Sequence, residues 1–414
     1  MNRLPIGLSI TALSGVLAAS TAQAAAFPNI QHVVIIVQEE RSFDNLFQGF
    51  PGADTQPYGY DSKGQKVSLK ARGLVSQCSL SPYPLYTDFV LSFDGGKMDG
   101  FDKQNSTCGK VGDLKSSPHF AYSYVPAQET RQYFSIGRQY VVADRMFSST
   151  WDGNFQSHQI LITGGQDGMT LGDPTADIRN PGWGCDDIVS TTTIVRMYPL
   201  APVFPCFNYS TLADEMDDAG VSWRYYSAPR SDIAYRYNAF DAIDHIREGP
   251  DWSNDISQSD DFASDVAAGN LADVTWITPY LADSDHLLGA AKGPRWVASL
   301  VNAIGESKFW PNTAIFIVWS NWGGWYDHVV PPQLAGQQFG NPDGLGMRVP
   351  MLIVSPYVPQ GHVTHVQYEH GSVLKFAEEA FGLPPNGVID ARANSPAGEF
   401  DFNQQPRAFT PIRL

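Results

Sequence analysis

Glu39 and Glu40 stand side by side directly after the apolar run at residues 32–37, in the stretch QEERSFDNLF. Two adjacent carboxylates at the end of a buried strand can ligate a hard divalent cation, or can simply solvate a turn. A second polar cluster, Ser320, Asn321, Asp327 and His328 in WSNWGGWYDH, follows another apolar run, and a third, SDH at residues 284–286, comes a few residues after a third run. Metal-assisted chemistry draws oxygen ligands from separate segments in this way, because the ion must exchange much of its hydration shell for protein atoms. Taken alone, each cluster reads equally as a solvated loop or a helix cap.

The elements that would position these groups are legible as short apolar runs between helical patterns. HVVIIV (residues 32–37), VTWIT (274–278), TAIFIVW (313–319) and VPMLIVS (349–355) read as buried strands. TLADEMDDAG (211–220) opens with Thr–x–x–Asp and ends on Gly, and residues 294–307 and 372–382 carry apolar side chains at helical spacing. This alternation predicts an α/β fold with a mostly parallel sheet covered on both faces and ligands at the carboxyl ends of the strands. Two long regions rich in Gly, Pro, Tyr and Asp, about residues 50–125 and 167–206, read as insertions shaping the mouth of the site.

Composition bounds the function. Of 414 residues, 43% are hydrophobic and 12% aromatic, ample for a large core, and the formal net charge is −16. Such an acidic chain has no surplus of Lys and Arg to displace counterions, so no nucleic-acid partner is expected. Residues 1–24 read as a secretory signal: Arg3, an apolar stretch at 6–19, and AQA at 22–24. The apolar stretch contains Ser and Thr and falls short of the ~20 residues that a membrane span needs. Export, periplasmic or secreted, is the expectation, with residues 25–414 as one α/β domain and no transmembrane segment in the mature chain. Cys78, Cys108, Cys185 and Cys206 then suit disulfides, sequence-local pairing being preferred among three connectivities.

At this level of detail the chain resembles the bacterial phosphoesterase family that contains phospholipases C of the non-zinc type and related acid phosphatases. VVIIVQEERSFDNLFQGFPGAD is similar to the family's opening motif. GGKMDGFD, SHQILITGG, SDH, GPRWVASLVNAIGES, WGGWYDHVVPP and RVPMLIVSPYV continue the likeness in order, from about residue 31 to the C terminus. The resemblance implies an alkaline-phosphatase-like fold with disulfide-bearing insertions. It also implies metal-assisted hydrolysis of phosphate esters or phospholipid head groups, in which a metal-held alkoxide attacks phosphorus.

Position by position, the resemblance gives Glu39 as a retained metal ligand and Glu40 where the family usually has Asn. Asn154 stands at the place of a Ser or Thr nucleophile, four residues before His158. Ser320 and Asn321 replace two Asp ligands, WSNW standing for WDDW. His158 and His286 are implied as groups that bind phosphate oxygens or protonate the leaving alcohol. Asp285, Asp327 and His328 are candidate substrate-binding groups. A site with Glu and two Asp carries about three negative charges, whereas this set carries about two, so affinity for a divalent metal, calcium or similar, is expected to be weakened or lost. Asn cannot accept a phosphoryl group as an alkoxide. Two readings follow: a hydrolase of phosphate esters with an altered site, or a catalytically degenerate relative that binds a ligand or partner.

Other features read more simply. HVTHVQYEH (362–370) lacks the HExxH order of a zinc helix and is expected to be a surface loop entering the last helix. Arg41 is expected to form a structural ion pair with Asp44.

Overall fold

Seven consecutive buried residues make the central strand β1 (His32–Gln38). Neighbours cover it on every side, so its sequence is a continuous apolar run and does not alternate. The computed structural model describes residues 26–76, 78–80, 85–108, 115–151, 153–165, 170–171, 184–186, 193–195, 202–334 and 344–414. The expected leader at 1–24 and most of the second insertion, 167–206, lie outside these. After β1 come α1 (Phe43–Phe47), β2 (Val141–Ala143), α2 (Asn154–Thr163), α3 (Leu212–Ala219), β3 (Trp223–Ser227), β4 (Ile256–Gln258) and β5 (Val274–Ile277). The chain continues through α4 (Gly293–Gly305), β6 (Thr313–Trp319), β7 (Met351–Val354), β8 (His362–Thr364), α5 (His370–Phe381) and α6 (Val388–Arg392).

These strands form one eight-stranded sheet in the order β4-β3-β5-β1-β6-β7-β2-β8. β1 lies parallel to both β5 and β6, with Val33 opposite Val274 and His32 opposite Thr313. The β3 pairings and that of β2 with β8 are also parallel. The run at 349–355 is a strand as expected, but β7 lies antiparallel to both β6 and β2. The sheet is therefore mixed and mostly parallel, flanked by helices. Among the described residues no helix is long and apolar enough to cross a membrane.

Local chemistry places the helices. Thr211 and Asp214 form a capping box at the start of α3, and Gly220 closes it at φ 70°. α2 is buried from Phe155 to Thr163 because α5 packs over it, so its amphipathic signal is weak. It ends at Gly164, whose left-handed conformation suits glycine. The cysteines pair locally as expected, Cys78 with Cys108 and Cys185 with Cys206.

Two expectations are corrected. Residues 362–370 are not a surface loop: β8 joins the main sheet, Tyr368–Glu369 pairs with Met146–Phe147, and His370 is wholly buried. Arg41 does not pair with Asp44. Its guanidinium donates to the carbonyls of Asp285 (2.9 Å) and Leu74 and to Asn45 Oδ1 (3.1 Å), and stacks on Trp325. Asp44 instead takes Arg348, which is equally buried and also holds Asp327 at 3.0 Å. Arg348 thus ties α1 to the segment after β6 and to the start of β7. Arg348→Ala should leave two carboxylates uncompensated in the interior and destabilise the fold by about 3–5 kcal/mol, measured by urea unfolding.

Candidate functional site

The carboxyl ends of β1, β5 and β6 bring together most of the residues singled out from the sequence. Glu39 follows β1 with none of its surface exposed. Its Oε1 accepts a hydrogen bond from His158 Nε2 on α2 at 2.9 Å, and its Oε2 accepts one from Ser320 Oγ, just after β6, at 2.6 Å. His158 in turn stacks on Tyr237 at 5.5 Å between centroids.

Glu40 extends the cluster outwards. Its backbone is left-handed at φ 58°, unusual for a residue with a side chain, and its carboxylate meets α2. Asn154, the first residue of α2, donates from Nδ2 to Glu40 Oε1 at 2.9 Å. Asn154 Oδ1 accepts from Asn321 Nδ2 and lies 3.2 Å from Ser320 Oγ, whose one proton goes to the nearer Glu39. His286 Nε2 lies 3.1 Å from Glu40 Oε2, and both side chains are about one-fifth exposed, at the rim of an otherwise buried cluster. The Leu288 N–H donates to His286 Nδ1 at 3.0 Å, which fixes that nitrogen as the acceptor and leaves the proton on Nε2, facing Glu40.

Gln38 holds the two halves in register. Its Oε1 accepts from the backbone N–H of Glu39 and of Asp285, while its Nε2 donates to the Asp283 carbonyl. Asp285 itself does not line the cluster's rim. Tyr133 Oη and Trp319 Nε1 both donate to its Oδ2, at 2.7 and 3.0 Å, behind the strand ends. Burial pushes its carboxyl up to about 6 despite the neighbouring Arg41 guanidinium. Asp327 and His328 belong to the Arg348 cluster: His328 Nδ1 is 2.6 Å from Asp44 Oδ2 and its Nε2 is 3.0 Å from Asp54 Oδ1.

His370, expected from the sequence to lie in a surface loop, is a buried group beneath the site. It donates from Nε2 to the Trp319 carbonyl at 3.0 Å, and burial, with His158 nearby, pushes it down to about 4. It is a neutral buried imidazole beneath the site. The signal available was its place at the start of the last helix pattern, which the clustering of three histidines obscured.

Three groups could in principle hold a metal. Asp44, Asp327 and His328 offer ligand atoms within 4.8 Å of one another, but Arg348 already donates into both carboxylates. Cys185, Cys206 and Asp244 also converge, but both sulfurs are in a disulfide. The third group is Glu39, Glu40, Asn154, Ser320 and Asn321. A divalent ion would need several of these oxygens turned toward one point. All four carboxylate oxygens face N–H or O–H groups, and two side-chain amides point their N–H bonds into the cluster.

The Phosphoesterase family model matches residues 30–384. Phospholipase C A of Mycobacterium tuberculosis is 24% identical over 441 residues, covering 92% of this chain and 79% of that protein. Non-hemolytic phospholipase C of Pseudomonas aeruginosa is 24% identical, covering 86% of this chain and 55% of that protein. Non-specific phospholipase C1 of Arabidopsis thaliana is 22% identical, covering 93% and 73%. Among solved structures, phosphonate monoester hydrolase of Agrobacterium radiobacter superposes with a TM-score of 0.42 at 10% identity, over 92% of this chain and 79% of that one. A Vibrio parahaemolyticus protein of the alkaline phosphatase superfamily gives 0.41 at 9%, over 93% and 77%.

The close approach of two loops makes a test of this geometry. Gly323, at φ 61°, packs so tightly that a Cβ there would overlap the Glu40 carbonyl oxygen. Gly323→Ala should therefore destabilise the protein by about 1–3 kcal/mol or more, read from denaturant midpoints.

Proposed function

We propose, on the premise that this chain belongs to the Phosphoesterase family, that it is a binding member of the family whose site no longer carries out attack by a metal-held alkoxide. The observation that carries this reading is Asn154. At the place where the resemblance puts the nucleophile, it offers an amide that is bonded to Glu40 and Asn321 at once. An amide nitrogen donor is a poor nucleophile, and an amide oxygen gives no stable phosphoryl intermediate.

The metal is replaced on this reading by hydrogen-bond donors. Two imidazole N–H groups, a hydroxyl and an amide take the positions around Glu39 and Glu40 that a cation would neutralise. Glu40 compensates in part for the carboxylates absent at Ser320 and Asn321, but its charge is met by Asn154 and His286. What the rim offers a ligand is the half-open trio Glu40, Asn154 and His286, a mixed acceptor and donor surface suited to a polar head group or to a partner's polar side chains. Asp285, Asp327 and His328 serve in this account as supports of the strand ends. Export after removal of residues 1–24 completes the proposal, with 25–414 as one domain, and the two disulfides are compatible with it.

A hydrolytic reading has one observation in its favour, the His286–Glu40 pair at the rim, which has the composition of a base and its orienting carboxylate. Both His286 nitrogens are engaged, however, so the imidazole would first have to release the Leu288 N–H or Glu40.

The deciding experiment is hydrolysis of chromogenic phosphate mono- and diesters by the purified protein, with and without added calcium, magnesium, manganese or zinc, beside a Glu39→Ala control. The expected result is no turnover above the control under any condition. A fourfold variant, Glu40→Asn, Asn154→Ser, Ser320→Asp and Asn321→Asp, should gain metal-dependent hydrolysis. Metal-dependent turnover by the parent that disappears in Glu39→Ala would overturn the proposal.

A further inference from the structure

Away from the site, three carboxyl groups meet where α3, α5 and α6 close over the end of α2. Asp390 on α6 accepts backbone N–H bonds from Asn386, Gly387 and Ala391, at 3.1, 3.0 and 2.6 Å. Glu378 on α5 reaches the same point: its Oε1 also faces the Asn386 N–H, at 3.4 Å, so two carboxyl groups converge on one amide. Glu378 is only 2% exposed, and among the described residues no donor reaches its Oε2. Glu215 on α3 completes the group, and its Oε2 is likewise buried without a donor.

Among the described residues, no cation is free to balance the charge at this point. Lys375, on α5, spends its ammonium on the carbonyls of Ala391 and Ala393. Among the described residues, the α2 end contributes Thr163, Gly164 and Gly165. From α3 the further groups are Asp214, which is paired with His245, and Asp218. Arg392 on α6 is held by Glu369. Two carboxylates in contact at such a point cannot both be ionised without a large electrostatic penalty.

We propose that Glu378 and Asp390 share one proton, Asp390 as the anion held by its three backbone N–H groups and Glu378 as the acid that donates to it, forming a pH-sensitive clasp on the end of α2. The mechanical link is direct. Ile389 and Val388 donate backbone hydrogen bonds to Gly164 and Gly165 at 2.8 and 3.2 Å, and a side chain at Gly164 would overlap Asp390 Oδ2. α2 is the helix that carries Asn154 and His158, so the clasp bears on the site at the other end of that helix.

The sign of the pH dependence follows. Burial, and then Asp390, push Glu378 up to about 10, far above its ordinary value of about 4.3. The folded chain holds a proton that the unfolded chain has released. The clasp's stabilisation is complete below about pH 4 and declines as pH rises toward 10. Glu215, pushed up to about 7 by burial and by Asp390, acts in the same direction over a lower range. Between pH 8 and 9, where Glu215 is mostly ionised, one retained proton raises the unfolding constant about tenfold per pH unit.

Urea unfolding of the full chain at pH 8 and pH 9, for the parent and for Glu378→Gln, tests this. Gln keeps a donor to Asp390 but cannot titrate, and the buried Asp241, pushed up to about 8, titrates alike in both, so the parent should show about tenfold more change per pH unit than the variant. An equal pH dependence in both would overturn the proposal. If the variant fails to fold, the protons released on unfolding the parent at pH 8 can be counted by calorimetry in two buffers of different ionisation enthalpy. About one proton is expected beyond the ordinary side chains and the fraction released by the buried Asp241, and no such excess would overturn the clasp. Calcium chloride tests the alternative neutraliser: a millimolar addition that stabilises the parent but not Glu378→Gln would mean that a cation, and not a proton, joins the pair.

Discussion

A buried carboxylate must be neutralised or satisfied, and Glu39 imposes that constraint at the most constrained point of the molecule. It lies at the carboxyl end of the central strand with no surface in water. Removing an ion from water in this way is costly by several kcal/mol unless donors surround it. The donors come from two different elements, His158 from the buried helix α2 and Ser320 from the end of β6. Satisfying one carboxylate therefore fixes how α2 sits on the sheet. It also explains why the segment after β1 can hold a left-handed Glu40 against Gly323: the surroundings over-determine that turn.

The Arg348 cluster solves the same problem a short way along the chain by a different means. Asp44 and Asp327 are equally buried, and there a guanidinium fork supplies the counter-charge. At Glu39 and Glu40 the structure uses neutral or weakly basic donors instead. The difference matters chemically. An arginine locks carboxylates permanently, whereas imidazole, hydroxyl and amide donors leave a cluster that exchange of a few side chains could convert to a cation site.

Much of this was legible in the sequence, for reasons particular to each part. The strands at 32–37, 274–278 and 313–319 were readable because burial on both faces leaves an unbroken apolar run, and α3 because its capping box and terminal glycine are local signals. The meeting of Glu39, Glu40, His286, Ser320 and Asn321 was readable because parallel strands present their carboxyl ends on one side. Direction was not: nothing in MLIV distinguishes an antiparallel strand from a parallel one, so β7 was placed correctly but not oriented. Side-chain partnership was least accessible. Arg41 is close to Asp44 in sequence, yet its guanidinium is taken by carbonyls of residues 74 and 285, which only the tertiary fold brings near. The burial of His370 was hidden for the same reason, since its partners, Ser149 and the Trp319 carbonyl, are brought to it only by the tertiary fold.

The substitutions at the site make one physical pattern when taken together. A metal site that had merely lost its nucleophile would keep its carboxylates and leave them repelling one another. Here Ser320 and Asn321 stand where the resemblance implies two more carboxylates, and the resulting set of acceptors matches the donors at hand: Glu39 with His158 and Ser320, Glu40 with Asn154 and His286, Asn154 with Asn321. Asn321 Oδ1 closes the chain by accepting from the Gly323 N–H at 2.7 Å, the glycine that Glu40 requires. Restoring any one metal-type carboxylate alone would place a third negative charge in a cluster balanced for two, with no additional donor to meet it. The arrangement is therefore coupled: on the proposed reading the positions 40, 154, 320 and 321 form one hydrogen-bonded unit, and its chemistry changes only when they change together.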